Sequence, residues 1–202
     1  AQLIEEQGKA LLPLEQLAAM HLDEEKGIVT VEDAWQGACD IVAENISDSA
    51  EVRKLLRKEL WNAGELVSEL IIDEKEAPEF LQYRDYSEPV RQLPPHRILA
   101  MNRGEDKKAL RINLRCPDEK LIAKVAQKLN LKEQSPFYTY YHNALTDSYK
   151  RLLLPSLERE LRNELTEKAE KQAISVFAAN LRQLLLTQPI SGHTVLGLDP
   201  GY

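Results

Sequence analysis

The sequence predicts a mainly α fold: a bundle of short helices, helix-turn-helix-like, with one small β element and one long connecting helix. Three observations predict it. Glycine is scarce, at 8 of 202 residues, and is absent from Glu105 to Ser191, where ~7% is usual. Apolar residues recur at steps of three and four through most of the chain, the spacing of one helical face. Between Pro155 and Pro189 no proline or glycine interrupts that pattern.

The elements follow in order. Residues 1–29 read as short helices, with Leu14, Leu17, Ala18 and Leu22 on one face and Gly27 as a break. Thr30 and Asp33 have the spacing of a capping box. The helix they open carries Val31, Ala34, Ala38, Ile41, Val42 and Asn45 on one side, and Gly37 and Ala38 leave room for a close helix neighbour. Ser47 or Asp48 caps a second helix with the stripe Val52, Leu55, Leu56, Leu60 and Ala63, and Gly64 stops it. A further helix is expected over 65–74, so residues 1–75 form an N-terminal helical, helix-turn-helix-like bundle.

A second helical subdomain with a short β element is expected over 76–154. Pro78, Pro89, Pro94 and Pro95 make its start irregular, with one helical turn. Residues 95–103 have two readings. Proline at the start and Gly104 past the end favour a helix; the rival is a hairpin turning at Gly104-Glu105-Asp106. Residues 109–115 alternate, with Leu110, Ile112 and Leu114 to one side, as in a half-buried strand. Pro117-Asp118 opens a helix through Leu129. A long connecting helix then fills 155–188. Its stripe runs Leu157, Leu161, Leu165, Ala169, Ala173, Val176, Asn180 and Leu184, and residues 156–187 would span roughly 48 Å. Its outer face mixes acids and bases, as a solvated surface laced with i,i+4 pairs does. Over 189–202 a loop leads into Val195–Gly201, which reads as the first strand of another, truncated domain. The chain starts with Ala1 and stops just after that run, so a fragment of a longer protein is expected.

Composition narrows the function. With 26 Lys plus Arg against 33 Asp plus Glu, the formal charge is -7. Such a chain repels phosphate backbones on average, so nucleic-acid contact needs a local basic patch. Cys39 and Cys116 are far apart. That excludes Cys-x-x-Cys chemistry and fits a reducing, cytoplasmic compartment. No signal peptide is visible in the N-terminal stretch, which carries Glu5 and Glu6, and no apolar run approaches the ~18 residues of a membrane span. No Ser/His/Asp order, Gly-rich phosphate loop or His-x-x-His spacing appears, so no catalytic residue, metal or cofactor is assigned.

Residues 96–115 are the most basic part. Arg97, Arg103, Lys107, Lys108 and Arg111 are the nucleic-acid-binding candidates, with His96 and Arg115 beside them. The alternative for Arg97 and Arg103 is pairing with Glu105, Asp106 or the acidic stretch 73–88. Tyr138, Tyr140, Tyr141 and Tyr149 either stack on bases or pack. Trp35 and Trp61 are expected to pack between helices.

Four blocks, in order, resemble the Tex family of bacterial transcription accessory proteins: GACDIVAE over 37–44, PHRILAMNRGE over 95–105, DSYKRLLLPSLERE over 147–160 and AISVFAANLR over 173–182. Cys39 is a departure, since a basic residue is expected there in Tex. The strand ending Asp199-Pro200-Gly201 is similar to the first strand of RNase H-like folds such as YqgF and RuvC. In those folds the Asp is the first metal-binding carboxylate. The resemblance implies the N-terminal helical region of a protein that continues into YqgF, helix-hairpin-helix and RNA-binding domains. It implies a non-enzymatic scaffold for a nucleic-acid-binding transcription factor, with RNA or DNA bound through the full-length protein and RNA polymerase as a further partner. Two alternatives stand beside it: a nuclease using Asp199, and a module that docks a basic protein.

Overall fold

The structure is a computed structural model and describes all residues except 11, 189, 190, 195, 200 and 202. Helices α1 (Gln2–Glu6) and α2 (Leu14–Ala19) lead into α3 (Val31–Asp48) and α4 (Ala50–Ala63). The capping box at the start of α3 forms as the spacing predicts. The Asp33 N–H donates to Thr30 Oγ1 at 3.1 Å, and the Thr30 N–H to Asp33 Oδ2 at 2.9 Å. The next cap falls one or two residues later than expected. Ser49 ends α3 and caps α4, accepting from the Val52 N–H at 3.4 Å. One residue thus joins the two helices, fewer than the three or four of a helix-turn-helix turn.

The helix expected over 65–74 is instead a strand, β1 (Glu65–Leu70). It is the centre of an antiparallel sheet of order β2-β1-β3, with β2 at Asp85–Pro89 and β3 at Leu110–Arg115. Backbone pairing on both sides outweighs local propensity. Glu65 faces Pro89 on one side and Arg115 on the other, and Glu69 faces Asp85 and Arg111. The sheet therefore joins residues on both sides of the division expected at residue 75. Gly64 turns directly from α4 into β1 in an extended conformation, and a Cβ there would lie 2.4 Å from the Leu60 carbonyl oxygen.

The segment 76–95, expected to be irregular, holds a 3₁₀ turn over Pro78–Tyr83 as well as β2. Residues 95–103 are helical, and α5 runs through Gly104 to Asp106. Gly104 does not end the helix. It is buried where α5 crosses β3, and a Cβ would sit 2.5 Å from Leu110 Cδ1 and 2.7 Å from its Cγ. Helix α6 covers Asp118–Lys128 and α7 Tyr138–Asp147.

From α7 the chain does not break at Pro155. A π-helical turn, Ser148–Leu153, carries it straight into α8 (Leu154–Leu185). A proline inside a helix lacks its N–H and crowds the carbonyl four residues back. A wider turn just before it accommodates both defects. Within that turn the buried Ser148 hydroxyl donates to the Ala43 carbonyl of α3 at 2.7 Å.

One hydrophobic core runs from Ile4 to Ala169. Helix α8 contributes Leu157, Leu161, Leu165 and Ala169, all buried. Beyond Ala169 every residue of the helix is exposed, including Val176 at 54%, Phe177 at 67% and Leu184 at 70%. The predicted stripe thus changes role halfway: its first part is core and its second a bare arm of about 24 Å. Of the strand expected in 189–202, Leu196–Asp199 are described, and they form no strand and lie exposed. Val195 and Pro200 lie outside the described residues. A strand needs partner strands to saturate its backbone, and among the described residues none lies beside this segment.

Gly104→Ala tests the α5–β3 contact. The added methyl must displace the buried Leu110, so a loss of about 1–3 kcal/mol is expected, read as a lower urea midpoint at unchanged helical signal.

Candidate nucleic-acid interface and its surroundings

The predicted cations lie on α5, on the turn after it and on β3. Helix α5 starts with Pro95, which fixes the first turn at no hydrogen-bond cost. Its end is held by Lys108 N–H to Glu105 O and Ala109 N–H to Gly104 O, both 2.8 Å, with Lys108 itself left-handed at φ 56°. This turn aims the exposed side chains of Arg103, Lys108 and Arg111 outward.

The structure divides the five candidates. Arg97 donates to Glu88 at 2.9 Å and to the Tyr86 hydroxyl at 2.5 Å, with its guanidinium 5.1 Å from the Tyr86 ring centre. It is built into the join between α5 and β2, pairing with the 73–88 stretch as the alternative reading had it. Lys107 reaches Glu79 at 3.0 Å and lies over the Phe80 ring. Arg103, Lys108 and Arg111 have no ion-pair partner among the described residues. Arg111 faces Glu69 across the sheet, and Arg115 is 4.0 Å from Glu65.

A neighbour that sequence reasoning missed is Arg159 on α8. It and Arg103 line one groove of about 950 Å³ between α5 and α8, together with His96, Asn163 and the acids Asp106, Glu158 and Glu170. Two other groups in that groove are fixed. Arg162 pairs with Glu105, and Asn102 donates to Thr166 at 2.8 Å. Only the α5–α8 crossing brings residues 103 and 159 together. Its sequence signal was the exposed basic position itself, which a mixed-charge helix face hides.

The aromatic group splits too. Tyr141 and Tyr149 are core residues. Tyr140 stacks on Trp35 at 4.2 Å between ring centres and 20° between planes. Trp61 packs under Lys168, 4.8 Å away. Asp199 is exposed and accepts from the Gly201 N–H at 3.1 Å. Among the described residues, no cluster of three or more His, Cys, Asp or Glu is placed to hold a metal ion.

Cys116 forms a tight polar contact with two neighbours. The Tyr149 hydroxyl donates to Asp118 Oδ1 at 2.7 Å, and Cys116 Sγ lies 3.1 Å from the same oxygen and 3.4 Å from the hydroxyl. Burial pushes the Cys116 thiol from its ordinary 9.0 up to about 11, and Asp118 adds to the rise. Burial likewise raises the Tyr149 hydroxyl. Cys39 is also raised by burial, and its Sγ donates to the Tyr140 carbonyl at 3.5 Å. Both cysteines are free thiols.

This architecture belongs to a known class. Residues 10–177 match the family model described as Tex central region-like. The chain is a member of the Tex family. The match is to the family's central region, where the sequence reading had expected the N-terminal helical region. The chain is 40% identical over 187 residues to the uncharacterized protein YdcI of Bacillus subtilis, covering 92% of this chain and 26% of that protein. It is 37% identical over 175 residues to the transcriptional accessory protein Tex of Neisseria gonorrhoeae, covering 84% and 23%. With the human S1 RNA-binding domain-containing protein 1 it shares 35% identity over 190 residues, covering 88% and 19%. The chain thus spans between 19% and 26% of the length of these relatives. No helix among its described residues is long and apolar enough to cross a membrane.

The raised Cys116 thiol makes a pH prediction. The folded chain keeps this proton longer than the unfolded one, so the stability it confers is complete below pH 9 and is lost as pH rises toward 11. The urea midpoint should fall across that window, and fall less in Cys116→Ala. Equal falls in both proteins would refute the assignment.

Proposed function

We propose that this chain is the helical scaffold of a nucleic-acid-binding factor acting in transcription, and that it acts without catalysing a reaction itself. The observation that carries the reading is the divided long helix. Four turns of α8 are locked into the core and the next four are exposed. A helix of that build holds neighbouring domains at a fixed distance and angle from its own body. The names of two relatives, a transcriptional accessory protein and an S1 RNA-binding-domain protein, support the nucleic-acid part.

Arg103, Lys108 and Arg111 supply the chain's own contact with RNA or DNA phosphates, and Arg159 extends it. Three or four exposed cations on an acidic chain make this contact weak and strongly salt-dependent. Protein neighbours, RNA polymerase among them, meet the bare arm, whose apolar side chains suit protein packing rather than phosphate. A cytoplasmic location is part of this reading, and the two free thiols support it.

The test is fluorescence anisotropy of a labelled single-stranded RNA with the 202-residue chain across a salt series. Arg103→Glu/Lys108→Glu/Arg111→Glu should weaken binding at least tenfold and flatten the log–log salt slope by about 2. Arg97→Gln, by contrast, should lower stability and leave the slope alone. An unchanged slope in the triple variant would remove the contact from this surface.

A further inference from the structure

On the side of the molecule formed by α2, α3 and α7 lies a second groove, of about 610 Å³. The stacked rings of Trp35 and Tyr140 wall it, half-buried. Four carboxylates line it: Glu15 from α2, Glu32 and Asp40 from α3, and Asp147 from the end of α7. Among the described residues no lysine or arginine does. Asp147 is held by Arg151 at 2.6 Å, and Asp40 accepts from Gln36 at 2.9 Å. Glu15 and Glu32 have no partner among the described residues and are exposed.

We propose that this groove docks a basic protein segment, with an arginine side chain against the Trp35–Tyr140 pair and its guanidinium among Glu15, Glu32 and Asp40. The occupant follows from charge complementarity. A nucleic-acid backbone is repelled by four carboxylates, and an apolar segment would leave them buried without partners. A planar guanidinium satisfies both components. It stacks on aromatic faces and offers five donors to carboxylates. A lysine ammonium is a strongly hydrated point charge and meets only the second requirement well.

Two titratable groups in the groove lie within reach of its acids. The Tyr140 hydroxyl is raised by burial and then by Cys39, Glu32 and Glu15. The Cys39 thiol is raised by burial and then by Asp40, with Asp147 contributing. The four carboxylates come from three helices and line one groove. The groove is separate from the cations of α5 and β3, so this inference does not depend on nucleic-acid binding.

The experiment uses the 202-residue chain, which has its own continuous core, and three fluorescein-labelled octapeptides that alternate glycine with arginine, lysine or glutamate. Anisotropy should show the arginine peptide binding at least threefold tighter than the lysine peptide, and the glutamate peptide not binding. Glu15→Gln/Glu32→Gln/Asp40→Asn should weaken the arginine peptide at least tenfold. Glu76→Gln/Glu133→Gln/Glu170→Gln makes the same change in net charge elsewhere and should stay within twofold of the parent. Tyr140→Leu should erase the preference for arginine over lysine. If that variant does not fold, the exposed acids still decide the matter. The proposal is overturned if the arginine peptide fails to bind, or if both triple variants weaken it equally.

Discussion

The fold depends on how the first half of α8 is seated. Leu157, Leu161, Leu165 and Ala169 form a buried row against α5 and the rest of the core. Each buried leucine contributes about 1.5–3 kcal/mol, so this row is among the largest single sources of cohesion. Ion pairs align it from the α4 side, with Arg53 to Glu160 at 2.5 Å and Arg57 to Glu164 at 2.6 Å. Such partly exposed pairs add little energy but fix the axial position of α8 relative to α4. The backbone N–H of Leu114 on the edge strand β3 donates to Glu158 at 3.0 Å. One helix thus sets the position of α4, α5 and the sheet together.

What lies upstream of α8 gives it an anchored start. The π turn absorbs Pro155 and keeps α7 and α8 in one helical path. Ser148 ties that path to α3, and Tyr149 ties it to the start of α6 through Asp118. The same seating creates the sites. The α5–α8 crossing brings Arg103 beside Arg159, and the packing of α7 on α3 stacks Tyr140 on Trp35. The first groove mixes arginines with acids, whereas the charged side chains lining the second, among the described residues, are all acidic.

Much of this was legible in the sequence, and the limits have physical causes. The Thr30–Asp33 box, the alternation of β3 and the Pro95 start of α5 are local signals, and each was read correctly. Strand β1 was not, because Leu66, Val67 and Ser68 are buried in succession. A central strand covered on both faces loses the period of two that identifies an edge. The stripe on α8 was read correctly as apolar and continuous, but periodicity reports which face is apolar and not whether anything covers it, so the change at Ala169 was not legible. Among the sites, the basic character of 96–115 was visible. The capture of Arg97 by Glu88 was foreseen only as one alternative, and the Trp35–Tyr140 groove was hidden because its parts lie about a hundred residues apart.

The central claim is that α8 is one helix with two mechanical roles, a locked brace followed by a bare arm. Native-state hydrogen exchange, resolved along the chain, tests it most directly. Amides from Leu157 to Ala169 should exchange only through global unfolding, with the denaturant dependence of the core. Amides from Ala173 to Leu185 should exchange orders of magnitude faster, through local fraying. Uniform protection along the helix, or faster exchange in its first half, would contradict the account.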